Sequence, residues 1–154
     1  MKTRSIVLTI ALCVVGFGMC WAQSPEMGTW KLNEAKSKIP AGSIKNTTVI
    51  YTVEGDKVKV TTDGTDAKGN PLHTEWVGMV DGKDYPLTGD PAADSRSYTR
   101  VNAHELTLAN KKDGKPTITG KVVVSADGKT RTLTAHGTGA DGKKVTTIAV
   151  YEKQ

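Results

Sequence analysis

Side chains able to do chemistry are few in this chain and widely separated. The three histidines, His73, His104 and His136, show no metal-ligand spacing. Structural zinc sites draw ligands from closely spaced pairs, so these residues read as solvated surface histidines. Asp81, Asp84, Asp90 and Asp94 crowd residues 81–95. Oxygen-rich loops bind calcium, but this stretch lacks the ordered ligand pattern of a helix–loop–helix site. With Pro86 and Pro91 inside it, the expectation is a polar, irregular connection placed to rim a binding mouth. No serine stands in a nucleophile-elbow context, and no carboxylates are paired for acid–base work. An enzyme is therefore not expected, and neither a metal nor a cofactor is. A cluster of Asp84, Arg100 and His104 in one cleft would reverse that reading. Tyr98 and Arg100, two residues apart, share a face of one strand. If that face is inward they could grip an anionic or polar ligand, because an interior arginine must find a partner. The turn at residues 102–104 decides the matter. A two-residue loop sets Val101 opposite Leu106, and a three-residue loop sets Arg100 there; both remain open.

The elements that position these groups are marked by Gly-centred turns. They are Glu54-Gly55-Asp56, Ala67-Lys68-Gly69-Asn70, Asp81-Gly82-Lys83, Asp113-Gly114-Lys115, Asp127-Gly128-Lys129 and Asp141-Gly142-Lys143. Gly and Asp tolerate the positive φ that tight hairpin turns require, so such pairs between alternating segments signal hairpins. Strand segments are expected at 28–32, 47–53, 57–63, 72–80, 83–87, 96–101, 105–109, 117–125, 130–136 and 145–152. Period-two alternation assigns inward faces: Val49, Tyr51, Val53; Val58, Val60; Leu72, Thr74, Trp76; Leu106, Leu108; and Val145, Thr147, Ala149, Tyr151. The polar stretch 33–46 has room for one helical turn at Glu34 to Lys38, and no segment carries an extended helical period. The fold class is all-β, an antiparallel up-and-down meander closing into a barrel of about eight to ten strands.

Residues 49–77 align without a gap on residues 122–150, an offset of 73. Gly55 falls on Gly128, Gly64-Thr65 on Gly137-Thr138, Ala67 on Ala140, Gly69 on Gly142 and Val77 on Val150. The inward sets agree between the copies. One pair departs: Val58 falls on Arg131, which would point an arginine inward near a strand start, either at a barrel mouth or with a local change of register.

Lys2 and Arg4 precede an apolar run from Ile6 to Met19, shorter than the roughly 20 residues that span a bilayer. Cys20-Trp21-Ala22 then offers a cleavage site. Residues 1–22 read as a secretory signal, with a lipid anchor on Cys20 as the rival. Removing them from 154 residues leaves 132, one domain at 23–154, without either cysteine. The net charge of +5 falls to +3 as Lys2 and Arg4 leave. The remaining lysines sit at turns beside Asp, with no basic stripe and stacking aromatics, so nucleic acid is not an expected partner. The chain is expected to be periplasmic or secreted, monomeric, and without a membrane span. Its large apolar residues are scarce, and at about 1.5–3 kcal/mol for each one buried the core must be compact. The interior is thus expected to be small or partly collapsed.

Gly28-Thr29-Trp30-Lys31-Leu32 near the start and Val150-Tyr151-Glu152-Lys153 at the end resemble the calycin group of lipocalins and fatty-acid-binding proteins. The resemblance implies that Trp30 plugs the barrel base. Gly-Lys-Asp-Tyr-Pro at 82–86 and Ser-Ala-Asp-Gly-Lys at 125–129 look more broadly like small secreted bacterial lipocalin-like proteins. Two departures from the fatty-acid-binding pattern matter. Residues 33–46 are too short for a helical-hairpin lid. The arginine that this family places two residues before the closing tyrosine is Ala149 here, so its carboxylate-binding role does not carry over. The resemblance implies non-catalytic binding of a small apolar or amphipathic molecule in the bacterial envelope, with Tyr51, Trp76, Tyr98, Arg100 and Tyr151 as candidate ligand contacts. The alternative is a filled barrel acting through its loops as an envelope interaction or inhibitor module.

Overall fold

The glycine-centred turns fold the chain as a meander. In a computed structural model, which describes residues 24–139 and 142–154, ten antiparallel strands run around a closed barrel. They are β1 (Gly28–Leu32), β2 (Lys45–Glu54), β3 (Lys57–Thr65), β4 (Pro71–Gly78), β5 (Tyr85–Thr88), β6 (Ser95–Asn102), β7 (Glu105–Lys112), β8 (Lys115–Val124), β9 (Thr130–Thr138) and β10 (Lys144–Lys153). Each expected strand is present, its ends moved by three residues or fewer. The expected signal segment, with Cys13 and Cys20, lies outside the described residues, as do Ala140 and Asp141. Residues 33–44 hold a single 3₁₀ turn, Glu34–Lys36, capped by the Asn33 side chain, which accepts from the Lys36 amide at 3.1 Å.

Closure runs through β1. Trp30 lies opposite Lys153 of β10 on one side and Val49 of β2 on the other. All hairpins therefore turn at one of two ends. The end that holds the start of β1 is closed by Trp30, which has no exposed surface. The other end carries the connections 33–44, 66–70, 89–94 and 113–114, and β9 ends and β10 begins there.

Alternation assigns most faces as the sequence predicts. Val49, Tyr51, Val58, Val60, Leu72, Thr74, Trp76, Leu106, Ala149 and Tyr151 are buried, while Leu108, Val145 and Thr147 are half-buried. Val53 departs, with 45% of its surface exposed. The pairing of β1 with β2 stops at Gly28 opposite Tyr51, so β1 covers nothing at Val53. The two aligned halves superpose on β2–β3–β4 and β8–β9–β10, and Gly55 and Gly128 turn their first hairpins at φ of 65° and 70°. Outward positions of β3 and β4 carry Lys57, Lys59, Asp63, His73 and Glu75, unlike the apolar band of a membrane barrel. No helix among the described residues is long and apolar enough to cross a membrane.

Aromatic rings pack closely around Trp76. Its ring meets Tyr98 edge-on at 4.9 Å and Tyr85 at 5.9 Å between centroids. Gly78 lets these rings approach: a Cβ there would lie 2.5 Å from the Tyr85 ring and 2.6 Å from the Trp76 ring. Overfilling a close-packed core typically costs about 1–3 kcal/mol. Gly78→Ala is accordingly expected to lower the urea midpoint by an amount equivalent to about 1–3 kcal/mol with an unchanged slope; an unaltered midpoint would refute this packing account.

Candidate functional site

The closed end is sealed by polar contacts around the tryptophan. Trp30 Nε1 donates to the Glu26 carbonyl at 2.8 Å, and Lys153 Nζ stands 5.2 Å from its ring centroid. The Glu26 carboxylate is buried and takes both ends of the Arg100 guanidinium, Nη2 closely and Nη1 at 3.5 Å. A bulge at Val101 sets Arg100 opposite Leu106 and turns it inward. Arg100 is thereby committed to an internal partner at the closed end and is not in the wall of the cavity described next.

Toward the loop end the barrel holds a cavity of about 370 Å³. Its apolar wall includes Val49, Leu72, Leu108, Leu133 and Val145, and Asp90 and Ala92 of the 89–94 connection stand at its rim. The deeper wall is polar. Arg96 Nε donates to Asn110 Oδ1 at 2.7 Å, and Arg96 Nη1 lies 3.5 Å from the Tyr98 hydroxyl. That hydroxyl is 3.5 Å from the Tyr51 hydroxyl, which accepts from Arg131 Nη2 at 3.0 Å. Tyr151 OH donates to the Asn46 carbonyl at 3.1 Å. Thr62 and Thr74 pair their hydroxyls across β3 and β4. Outside the rim, a second cleft of about 380 Å³ lies between residues 34–45 and 65–69; Gly42, Ser43 and Ala67 belong to both spaces.

Arg131 is the central group. It is 3% exposed, its guanidinium carbon 4.9 Å from the Tyr151 ring centroid and 5.4 Å from that of Tyr51. Its Nε and Nη1 have no hydrogen-bond partner among the described residues. Burial pushes the Tyr51 hydroxyl well above the usual phenol range, and burial likewise raises Tyr151. Both stay neutral at physiological pH and bring no negative charge to the arginine.

Of the residues expected at the site, Tyr98 and Tyr151 are in the cavity wall. Tyr51 stands behind them in the hydroxyl–guanidinium chain, and Trp76, whose Nε1 donates to the Arg96 carbonyl at 2.8 Å, packs against Tyr98. Trp30 and Arg100 belong to the closed end. Arg96, Arg131 and Asn110 were not among the expected site residues. Period two from Tyr98 reaches Arg96, and from Leu106 and Leu108 it reaches Asn110; the offset of 73 superposes Arg131 on inward Val58.

The other polar groups lie apart. Asp84 pairs with Lys111 at 2.6 Å, while His104 is exposed in the β6–β7 turn. Among the described residues no group of three or more His, Cys, Asp or Glu side chains is arranged to hold a metal ion. No protein-family model matches the chain, and no curated protein matches it in sequence. The ten-strand up-and-down barrel is compatible with a calycin-like fold.

His73 and His136 face outward. His73 Nδ1 lies 2.6 Å from Asp63 Oδ1, and this hydrogen bond holds its pKa above the ordinary histidine value. A histidine raised in the folded state adds stability below its unfolded pKa and loses that contribution as pH rises through the folded one. The Asp63→Asn variant is expected to bring the His73 titration, followed by NMR of its ring protons, back toward the ordinary value. An unmoved midpoint would remove Asp63 as the cause.

Proposed function

We propose that this chain is an exported, monomeric, non-catalytic binder of a small amphipathic molecule in the bacterial envelope, periplasmic or secreted. The observation that carries the reading is the cavity. At about 370 Å³ it falls within the span of small-molecule sites, which run from about 300 to 1,000 Å³. Its apolar wall and its few convergent polar groups match what such sites use for affinity and orientation. Trp30 and the Glu26–Arg100 pair at the closed end support the reading from below, because they leave the loop end as the route of access. The rival, a filled barrel working through its loops, draws support from the scarcity of large apolar residues and from the dense packing around Trp76. The export part rests on residues 1–22.

The test is native mass spectrometry of the protein purified from its own envelope, with extraction of whatever co-purifies. A stoichiometric small molecule on a monomer supports the reading; a bare polypeptide mass that no apolar probe alters points to the filled barrel. Val145, half-buried in the cavity wall, provides the control. Val145→Trp is expected to reduce bound ligand by about tenfold or more with an unchanged circular dichroism spectrum, since overfilling removes the space the ligand needs.

A further inference from the structure

Resting on that reading of the cavity, we propose that the ligand carries an anionic oxygen head group, a carboxylate or a phosphate, seated against Arg131, with its apolar part directed toward the loop end.

The first support is charge. A guanidinium cannot shed its proton at any pH the protein meets. Arg131 is 97% buried by its 3% exposure, and among the described residues no Asp or Glu carboxylate lies within ion-pairing distance of it. One of its nitrogens reaches a neutral phenol, and Nε and Nη1 reach no acceptor among the described residues. The rings of Tyr51 and Tyr151 offset part of the charge, but a ring face is a weak substitute for an oxygen acceptor.

The second support is that the cation is not alone. Arg96 is 8% exposed, stands in the same cavity wall, and among the described residues its side-chain partners are Asn110 and Tyr98, neither of them a carboxylate. The buried carboxylate inside the barrel, Glu26, is already bound by Arg100 at the closed end. Asp90, the acidic residue in the cavity lining, sits at the rim in the 89–94 connection. Among the described residues the deep wall thus holds two positive charges and no negative one.

The third support is that the scaffold does not require arginine at this position. In the other aligned half, Val58 occupies the matching inward place on β3 and is equally buried, at 2%. Valine completes a close-packed wall there. An arginine at the counterpart on β9 brings a desolvation cost without a compensating internal pair, as expected where a ligand supplies the acceptor.

The experiment titrates the purified protein with octanoate, octyl phosphate and octanol by calorimetry. These three probes share a tail and differ in head group. The expected result is that at least one anion binds about tenfold or more tighter than octanol, and that Arg131→Met brings the anion down to the octanol level while octanol binding holds. A preference for octyl phosphate over octanoate identifies phosphate as the head group, and the reverse preference identifies carboxylate. Equal binding of all three probes overturns the head-group assignment and leaves the cavity reading standing. Binding of none overturns both. Should Arg131→Met not fold, the wild-type ratio of anion to octanol decides alone, and Arg131→Lys, which retains the charge, is expected to keep most of it.

Discussion

β1 is five residues long, yet both edges of the sheet end on it. Pairing with β10 and with β2 at the same residue, Trp30, is what turns a ten-strand meander into a closed barrel. Without that seam β2 and β10 would be exposed edges, with rows of unpaired N–H and C=O groups. Closure fixes the inside, and the inside fixes which alternate residue of every strand is buried. The anchoring side chain also has to be satisfied in place. Trp30 Nε1 reaches the Glu26 carbonyl, and Glu26 in turn holds Arg100, so the closing strand, the preceding segment and β6 are locked together at one end.

Interior volume is distributed unevenly as a result. Trp30, Tyr51, Trp76, Tyr98 and Tyr151 supply most of the bulk inside the barrel. In the half near the loops, smaller residues face inward instead, the buried Thr62 and Thr74 and the half-buried Val145 and Thr147 among them. Small barrels either fill with side chains or hold one small ligand. This one is filled with side chains below Tyr98 and leaves a space of about 370 Å³ above it. The cavity is therefore a consequence of side-chain size along the strands, with no change in strand number or register needed to open it.

The architecture was legible in sequence because its determinants are local. Asp-Gly and Gly-Asp turns and period-two alternation are read within ten residues, and they located ten strands and most of the core. Val53 escaped because its exposure depends on where β1 begins, a fact about another strand. Tyr98 and Arg100 could not be assigned a face because the bulge at Val101 is a hydrogen-bond irregularity with no marker of its own. Arg131 was visible as an inward arginine through its alignment with Val58, but its significance was not. That depends on Tyr51 and Tyr151, which flank it from β2 and β10 on either side of the closing strand, and on the buried carboxylate among the described residues, Glu26, being held by Arg100. Sequence distance hides such a cluster: Arg131 and Tyr51 are 80 residues apart.

The arginine and the cavity explain each other. A guanidinium sealed under apolar side chains would leave Nε and Nη1 without acceptors, at a cost of several kcal/mol that two tyrosine rings only partly offset. Beside a space of about 370 Å³ the same group can receive an acceptor from solvent or from a ligand, so the charge is tolerable only because the wall next to it is not filled. Conversely, a space lined by apolar residues alone would be compatible with any apolar guest. With Arg131 and Arg96 in its deeper wall and Leu72, Leu108 and Val145 around them, the space is polarised along the barrel axis. An uncharged hydrocarbon would leave the deep end unsatisfied, and a free inorganic anion would leave the apolar wall uncovered. A molecule with both characters satisfies the whole lining at once, which is why charge and volume together are more specific than either is alone.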